Sequence, residues 1–322
     1  MKYIIAFAAS EFVNFRQAEF RALAELQGLQ ADRIVTDWSE DYWLRPYVIV
    51  ELDSDAQAEA LVERSVLIKS IYHCWCDADS FPQLLTKVPY NPLQLLIHNL
   101  PESLTNQYLS RLCTYKVVIS SANKKIDQES KLKMIEDVLN AHPVLEATVC
   151  LKNPQHQLNI LLDYAPKNWP KLPPGAAKEH LRHLYYGRLV AISKRRELIN
   201  SYRLADRNYL GNTSMDVRLS GIMANVGLCG PGTLVWDPFL GTGSIVLAAS
   251  IWGAYGAGSD IDYALLHGMG MSPKAGQVLE LRHTHRRPAF AVFLDPKQTF
   301  DSFDHEALMG SLRKGMPQKY VN

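Results

Sequence analysis

The stretch Thr233–Gly258, TLVWDPFLGTGSIVLAASIWGAYGAG, decides how the second half of the chain folds. Thr233–Trp236 reads as a buried strand, Asp237 stands at its carboxyl end, and Pro238 to Gly243 turn the chain into an apolar helix of about eight residues. Strand, loop and helix in that order form the first unit of a doubly wound sheet. Gly241 and Gly243 lack a Cβ, so the backbone can turn sharply and approach a ligand at the strand end. A second strand is expected at Tyr255–Ser259 and ends in Asp260, 23 residues after Asp237. That spacing suits a carboxylate that accepts from the ribose hydroxyls of a nucleoside.

The loop itself narrows the choice of nucleoside. A dinucleotide fingerprint needs Gly or Ala three positions after its second glycine, where this chain has Val246. A phosphate-cradling loop needs Gly-Lys-Ser/Thr, and Gly243-Ser244-Ile245 has no lysine. An acid at the mouth of the glycine turn suits a cationic amine. S-adenosylmethionine has such an amine, so Asp237 and Asp260 are candidates to hold its two ends.

Upstream, the chain is long enough for several domains: 322 residues, 47% hydrophobic and 21% charged. This composition excludes wholesale disorder, and no apolar run reaches the ~18 to 20 residues of a membrane span. Five scattered cysteines (Cys74, Cys76, Cys113, Cys150 and Cys229) and the start MKYIIAFAASEFVNF, which lacks the features of a secretory signal, imply a reducing setting, cytoplasmic or nuclear, with the cytoplasm the expected one. The net charge of +1 hides an asymmetry: residues 1–90 carry 8 basic and 14 acidic groups, whereas 171–210 carry 9 and 3. Such a basic belt attracts a polyanion, and an exposed basic face without a partner fits it as well.

The first 90 residues alternate as a small ferredoxin-like α/β unit. Strands are expected at Tyr3–Ala8, Tyr47–Leu52 and Val66–Cys74, with helices at Glu11–Gln27 and Ala56–Arg64, the latter capped by Ser54 or Asp55. From Asn91 the pattern restarts, with strands at Lys116–Ser120 and Leu158–Leu162 and a helix at Gln128–Asn140. The proline-rich KNWPKLPPG at 167–175 marks a boundary, and Lys178–Tyr202 reads as a basic helix or helix pair.

Several of these stretches, taken together, resemble one family. DPFLGTGS (237–244), GSDID (258–262) and LGNTSMDVRLSGIMAN (210–225) look like signatures of the tRNA guanine-N2-methyltransferases that act on the tenth nucleotide, most closely their eukaryotic catalytic subunit. The likeness extends through SVLIKSIYHCW (65–75), KNPQH (152–156), YYGR (185–188) and RELINSY (196–202), in the family's order. It implies an α/β chain with a ferredoxin-like domain (1–90), a THUMP-like RNA-binding domain (91–170) and a basic linker (171–208). These lead into the first half of a Rossmann-like methyltransferase domain (209–270) and a divergent tail (271–322). It also implies S-adenosylmethionine as cofactor, tRNA as the belt's partner, and a small zinc-binding activator subunit that docks on the methyltransferase sheet.

Residue by residue, Asp237, Gly241 and Gly243 match the cofactor loop and Asp260 the ribose acid. Thr213 and Ser214 match the segment over the methionine end, and Asp262 lies near the adenine. The same NTSMD segment also reads as a capped helix start with Asn212, Thr213 or Ser214 as the cap. Lys194, Arg195 and Arg196 are candidate phosphate contacts, or else a solvated helix face.

The acceptor half of the chemistry is missing. Methylating an exocyclic amine requires an acceptor for the amine hydrogens and an aromatic to fix the base, which such families supply as Asp/Asn-Pro-Pro-Tyr/Phe. The nearest string, Leu294-Asp295-Pro296-Lys297, has Lys in place of the second proline, so no catalytic residue is assigned. The likeness is expected to end at Gly270, and the 60 residues after Asp262 are too few for the rest of the sheet, as an alternative or misjoined exon would leave it. The competing reading is a truncated, inactive protein that retains tRNA binding. No metal site is expected: His73, Cys74 and Cys76 lie within one strand, and His283 and His285 lie in an arginine-rich run.

Overall fold

The computed structural model describes residues 1–8, 12–87, 108, 110–141, 147–166, 180–201 and 214–260. They fall into two compact units: Met1–Ser10, Asp32–Glu63 and Ile68–Ile192 in the first, and Glu11–Ala31, Arg64–Leu67 and Ser193–Asn322 in the second. Thr213 and Asp262, the boundary at 167–175 and the tail 271–322 lie outside the described residues.

The first unit is built on one seven-stranded sheet in the order β2-β1-β3-β7-β6-β4-β5. Its strands are β1 (Lys2–Phe7), β2 (Tyr47–Glu51), β3 (Ile68–Ala78), β4 (Thr114–Ala122), β5 (Thr148–Val149), β6 (His156–Tyr164) and β7 (Leu181–Ile192). β1 runs antiparallel to β2 and β3, whereas β4 runs parallel to β5 and β6. β7 joins the two groups, antiparallel to β3 on one side and to β6 on the other. Strands from the ferredoxin-like and THUMP-like stretches thus share one sheet.

This central strand corrects the sequence expectation of a basic helix or helix pair over Lys178–Tyr202: Leu181–Ile192 is a strand, and within that range Arg195–Ser201 is helical as expected. Leu184 and Tyr186 face one hydrophobic core with Trp75, Leu158 and Leu162, while Tyr185 faces the other with Ile4, Tyr47 and Leu161. That alternation is the period of a strand covered on both faces. Gly187 seals the contact with β3: a Cβ there would lie 2.1 Å from the His73 carbonyl oxygen. The register with β3 shifts next to it, between Cys74 and Cys76.

Three helices of the first unit match expectation or follow from local signals. α4 (Asp55–Glu63) starts where the Gln57 amide donates to Ser54 Oγ at 3.3 Å. α5 (Phe81–Lys87) and α6 (Gln128–Ala141) pack together, with Leu84 and Val138 fully buried. The short helices α2 (Ala31–Ile34) and α3 (Glu40–Trp43) precede β2. No helix among the described residues is long and apolar enough to cross a membrane.

The second unit contains α1 (Arg16–Leu26), α7 (Arg195–Ser201), α8 (Val217–Val226), β8 (Leu234–Asp237), α9 (Ser244–Ile251) and β9 (Tyr255–Gly258). β8 and β9 pair in parallel, as a strand-helix-strand crossover requires. Val217, Ala224, Leu247, Ala248 and Ala254 form its core. α1, near the chain's start, packs against α8.

Candidate cofactor site

The site is assembled at the carboxyl ends of β8 and β9, where Asp237 is paired with Gly258. The approach of the two strands depends on glycine. A Cβ on Gly258 would lie 2.5 Å from the Asp237 carbonyl oxygen, and one on Gly256 would lie 2.1 Å from Val246 Cγ1. Asp237 is 9% exposed, and its Oδ1 accepts the Phe239 amide at 3.0 Å, which folds the chain into the loop.

Within the loop, Gly241 and Gly243 have φ of +53° and +72°, in the left-handed region that side-chain-bearing residues avoid. Among the described residues, nothing lies within 3.7 Å of the Cβ positions they lack, so on that side their backbone is open to a ligand. The Gly241 amide donates to Asp260 Oδ2 at 2.6 Å, and the Leu240 amide donates to the Ser259 carbonyl oxygen at 2.8 Å. The end of β9 therefore holds the loop that follows β8. Thr242 Oγ1 donates to Ser214 Oγ at 3.0 Å, which brings the segment before α8 to the same place.

Four of the expected cofactor residues, Asp237, Gly241, Gly243 and Asp260, thus converge, and Ser214 joins them through Thr242. Thr242 was not singled out from sequence, although it stands between the two glycines. The α8 cap corrects another expectation. Asp216, rather than Asn212, Thr213 or Ser214, accepts the Arg218 and Leu219 amides at 2.8 and 3.4 Å.

The basic triad divides. Lys194 and Arg196 are exposed, but Arg195 Nε donates to the Val66 carbonyl oxygen at 2.7 Å and burial pulls its guanidinium pKa down. Arg195 serves the fold of the second unit. His73 and Cys74 are buried, the Cys74 and Cys76 thiols are pushed up by burial (Cys76 to about 12), and no metal-binding cluster occurs among the described residues.

Residues 1–195 match the Tmrp11 THUMP N-terminal domain. The chain is 36% identical over 307 residues to the tRNA (guanine(10)-N(2))-methyltransferase TRMT11 of Homo sapiens, covering 95% of this chain and 62% of that protein. For the Rattus norvegicus protein of the same description the figures are 36% over 269 residues, 84% and 53%. For that of Dictyostelium discoideum they are 32% over 279 residues, 81% and 51%. The chain therefore spans between about half and three-fifths of the curated relatives it matches. At 95% coverage the human alignment also runs past residue 270, into the segment expected to diverge. Among solved structures, TrmN from Thermus thermophilus is similar at a TM-score of 0.44 and 15% identity, covering 94% of this chain and 76% of that one. The putative methyltransferase SMU.472, complexed with SAH, is similar at 0.40 and 11%, covering 92% and 76%. Likeness at these TM-scores carries no assignment.

Proposed function

Taking as premise that this chain belongs to the TRMT11 family of tRNA (guanine(10)-N(2))-methyltransferases, with that family's Tmrp11 THUMP N-terminal domain, we propose that it binds S-adenosylmethionine and tRNA for methylation of the guanine exocyclic amine at position ten. The observation that carries this reading is the pair of carboxylates, Asp237 and Asp260, at adjacent parallel strand ends with an open glycine loop between them.

The donors and acceptors present fit the cofactor. Asp237 keeps one carboxylate oxygen for the Phe239 amide, and its charge complements the cofactor's ammonium. Asp260 gives one oxygen to Gly241, and a carboxylate has acceptor capacity beyond one bond, enough to take ribose hydroxyls as well. Gly241 and Gly243 let the backbone close on the nucleoside and Ser214, held by Thr242, flanks its methionine end; roles for Thr213 at the methionine end and Asp262 at the adenine rest on the sequence resemblance alone. When bound, S-adenosylmethionine supplies an electrophilic methyl group on a sulfonium. The chain's own task is to orient that group and keep the loop from collapsing into the space it needs. The groups that would hold the guanine amine are unassigned, since the sequence has no Asp/Asn-Pro-Pro-aromatic tetrad.

The THUMP-bearing first unit is the part that engages tRNA in this reading, with Lys194 and Arg196 as additional phosphate contacts. A small zinc-binding activator subunit is the protein partner and the cytoplasm the compartment, in keeping with five free cysteines.

The test is methyl incorporation from labelled S-adenosylmethionine into tRNA by the full chain, with and without the activator. Incorporation at guanine 10, lost when another base occupies that position, is expected. Cofactor and tRNA binding without incorporation would instead identify a noncatalytic tRNA-binding chain, and no cofactor binding would sink the reading altogether.

A further inference from the structure

The site described above lies at one end of two packed helices, and a polar network lies at the other. Arg64 belongs to the short segment Arg64–Leu67, which enters the second unit from far upstream in sequence. Its Nε donates to Asn225 Oδ1 at 2.7 Å, and its Nη2 donates to the Cys229 carbonyl oxygen at 2.6 Å. Its guanidinium also sits 4.6 Å from the ring centre of Trp252. Asn225 is in the last turn of α8, and Trp252 caps the carboxyl end of α9.

The segment that carries Arg64 is itself fixed. Glu19 of α1, 1% exposed, accepts from Ser65 Oγ, the Val66 and Leu67 amides and Asn225 Nδ2, all at 2.8 to 3.0 Å. Ser193 and Arg195 donate to the Ser65 and Val66 carbonyl oxygens at 3.0 and 2.7 Å. So many bonds on four residues leave Arg64 little freedom.

We propose that Arg64 is a positioning residue for the cofactor site: it pins the carboxyl ends of α8 and α9 and thereby sets the spacing of their amino ends, where Ser214 meets Thr242. The helices have 10 and 8 residues, about 15 and 12 Å at 1.5 Å per residue. A small tilt at Arg64 becomes a displacement of about an ångström at the glycine loop, a shift that can cost about a hundredfold in a demanding site. The N-terminal segment thus contributes to cofactor binding through residues that never touch the cofactor. This inference rests on the cofactor reading of the site.

The test compares affinities for S-adenosylhomocysteine and for tRNA in the full chain, at a temperature where circular dichroism shows each variant folded. Arg64→Ala is expected to weaken S-adenosylhomocysteine binding about tenfold and leave tRNA binding within about twofold. Arg64→Lys keeps the charge but not the planar fork, so it should fall between. Trp252→Phe, which keeps an aromatic face, should bind as the unsubstituted chain does, while Trp252→Ala should resemble Arg64→Ala. A purely structural role would lower melting temperatures without changing the ratio of the two affinities, and that result overturns the inference. So does failure of both Arg64 variants to fold, which would make Arg64 a folding residue. If the unsubstituted chain binds tRNA but no S-adenosylhomocysteine, the cofactor reading fails first and this inference with it.

Discussion

Asp260 accepts the Gly241 amide at 2.6 Å, so the residue that ends one strand braces the turn that leaves its neighbour. A carboxylate expected only to meet a ligand therefore also shapes the glycine loop beside it. The two roles are separable by substitution.

Asp260→Asn retains an oxygen for the Gly241 amide but loses the charge. Thermal stability should change by less than about 0.5 kcal/mol, while S-adenosylhomocysteine affinity falls at least about tenfold. Asp260→Ala should lose that affinity and about 1–3 kcal/mol of stability besides, because the Gly241 amide loses its partner. Chemical denaturation beside calorimetric titration distinguishes the two variants, and equal stabilities would contradict the bracing role.

Gly187→Ala should split the first unit's sheet at its centre. The added Cβ meets backbone, the His73 carbonyl oxygen at 2.1 Å, and backbone in a paired strand cannot step aside. A loss of about 3 kcal/mol or more is expected from urea unfolding followed by tyrosine and tryptophan fluorescence.

His183 sets a pH window for the same unit. Its ring nitrogens lie 2.9 Å from Asp77 Oδ2 and 2.7 Å from Asp79 Oδ1. The bond to Asp77 raises the imidazole pKa above 6.5, and the same bond holds the Asp77 carboxyl below 3.8. The imidazolium's share of stability is complete below the unfolded value of 6.5 and lost as pH rises through the folded one. Asp77's share is complete above 3.8 and lost as pH falls through its lowered value. Stability measured from pH 4 to 9 should therefore decline as pH rises above about 6.5, in a step that His183→Gln removes. Persistence of the step in that variant would assign it elsewhere.

For tRNA, Lys194→Ala with Arg196→Ala should lower the slope of log affinity against log salt by about 1 to 2, since each phosphate contact contributes roughly 0.7–0.9. Arg195→Ala should chiefly lower stability, because its Nε serves the Val66 carbonyl oxygen. An unchanged slope in the double variant would remove this belt from the contact surface.

What could be read from sequence follows the range of the interactions involved. The strand at Tyr47–Glu51 and the loop and helix after Asp237 are set by residues close in sequence, and both emerge as expected. β7 was missed because its basic residues mimic a helical face, and only the packing of Tyr185 and Tyr186 into opposite cores reveals a strand. Asp216 was missed because three earlier residues are equally good caps, and only the Arg218 and Leu219 amides that its carboxylate accepts decide among them. Glu19 and Asn225 lie 206 positions apart, so nothing local marks them as partners or assigns α1 to the second unit.

The central claim is that Asp237 receives the ammonium of a sulfonium nucleoside beside an open glycine turn. Asp237→Asn preserves an acceptor for the Phe239 amide and removes only the negative charge. Isothermal titration of S-adenosylhomocysteine into the full chain should give one-to-one binding that weakens about tenfold or more in this variant. Equal affinities, or no heat with the folded unsubstituted chain, would contradict the account.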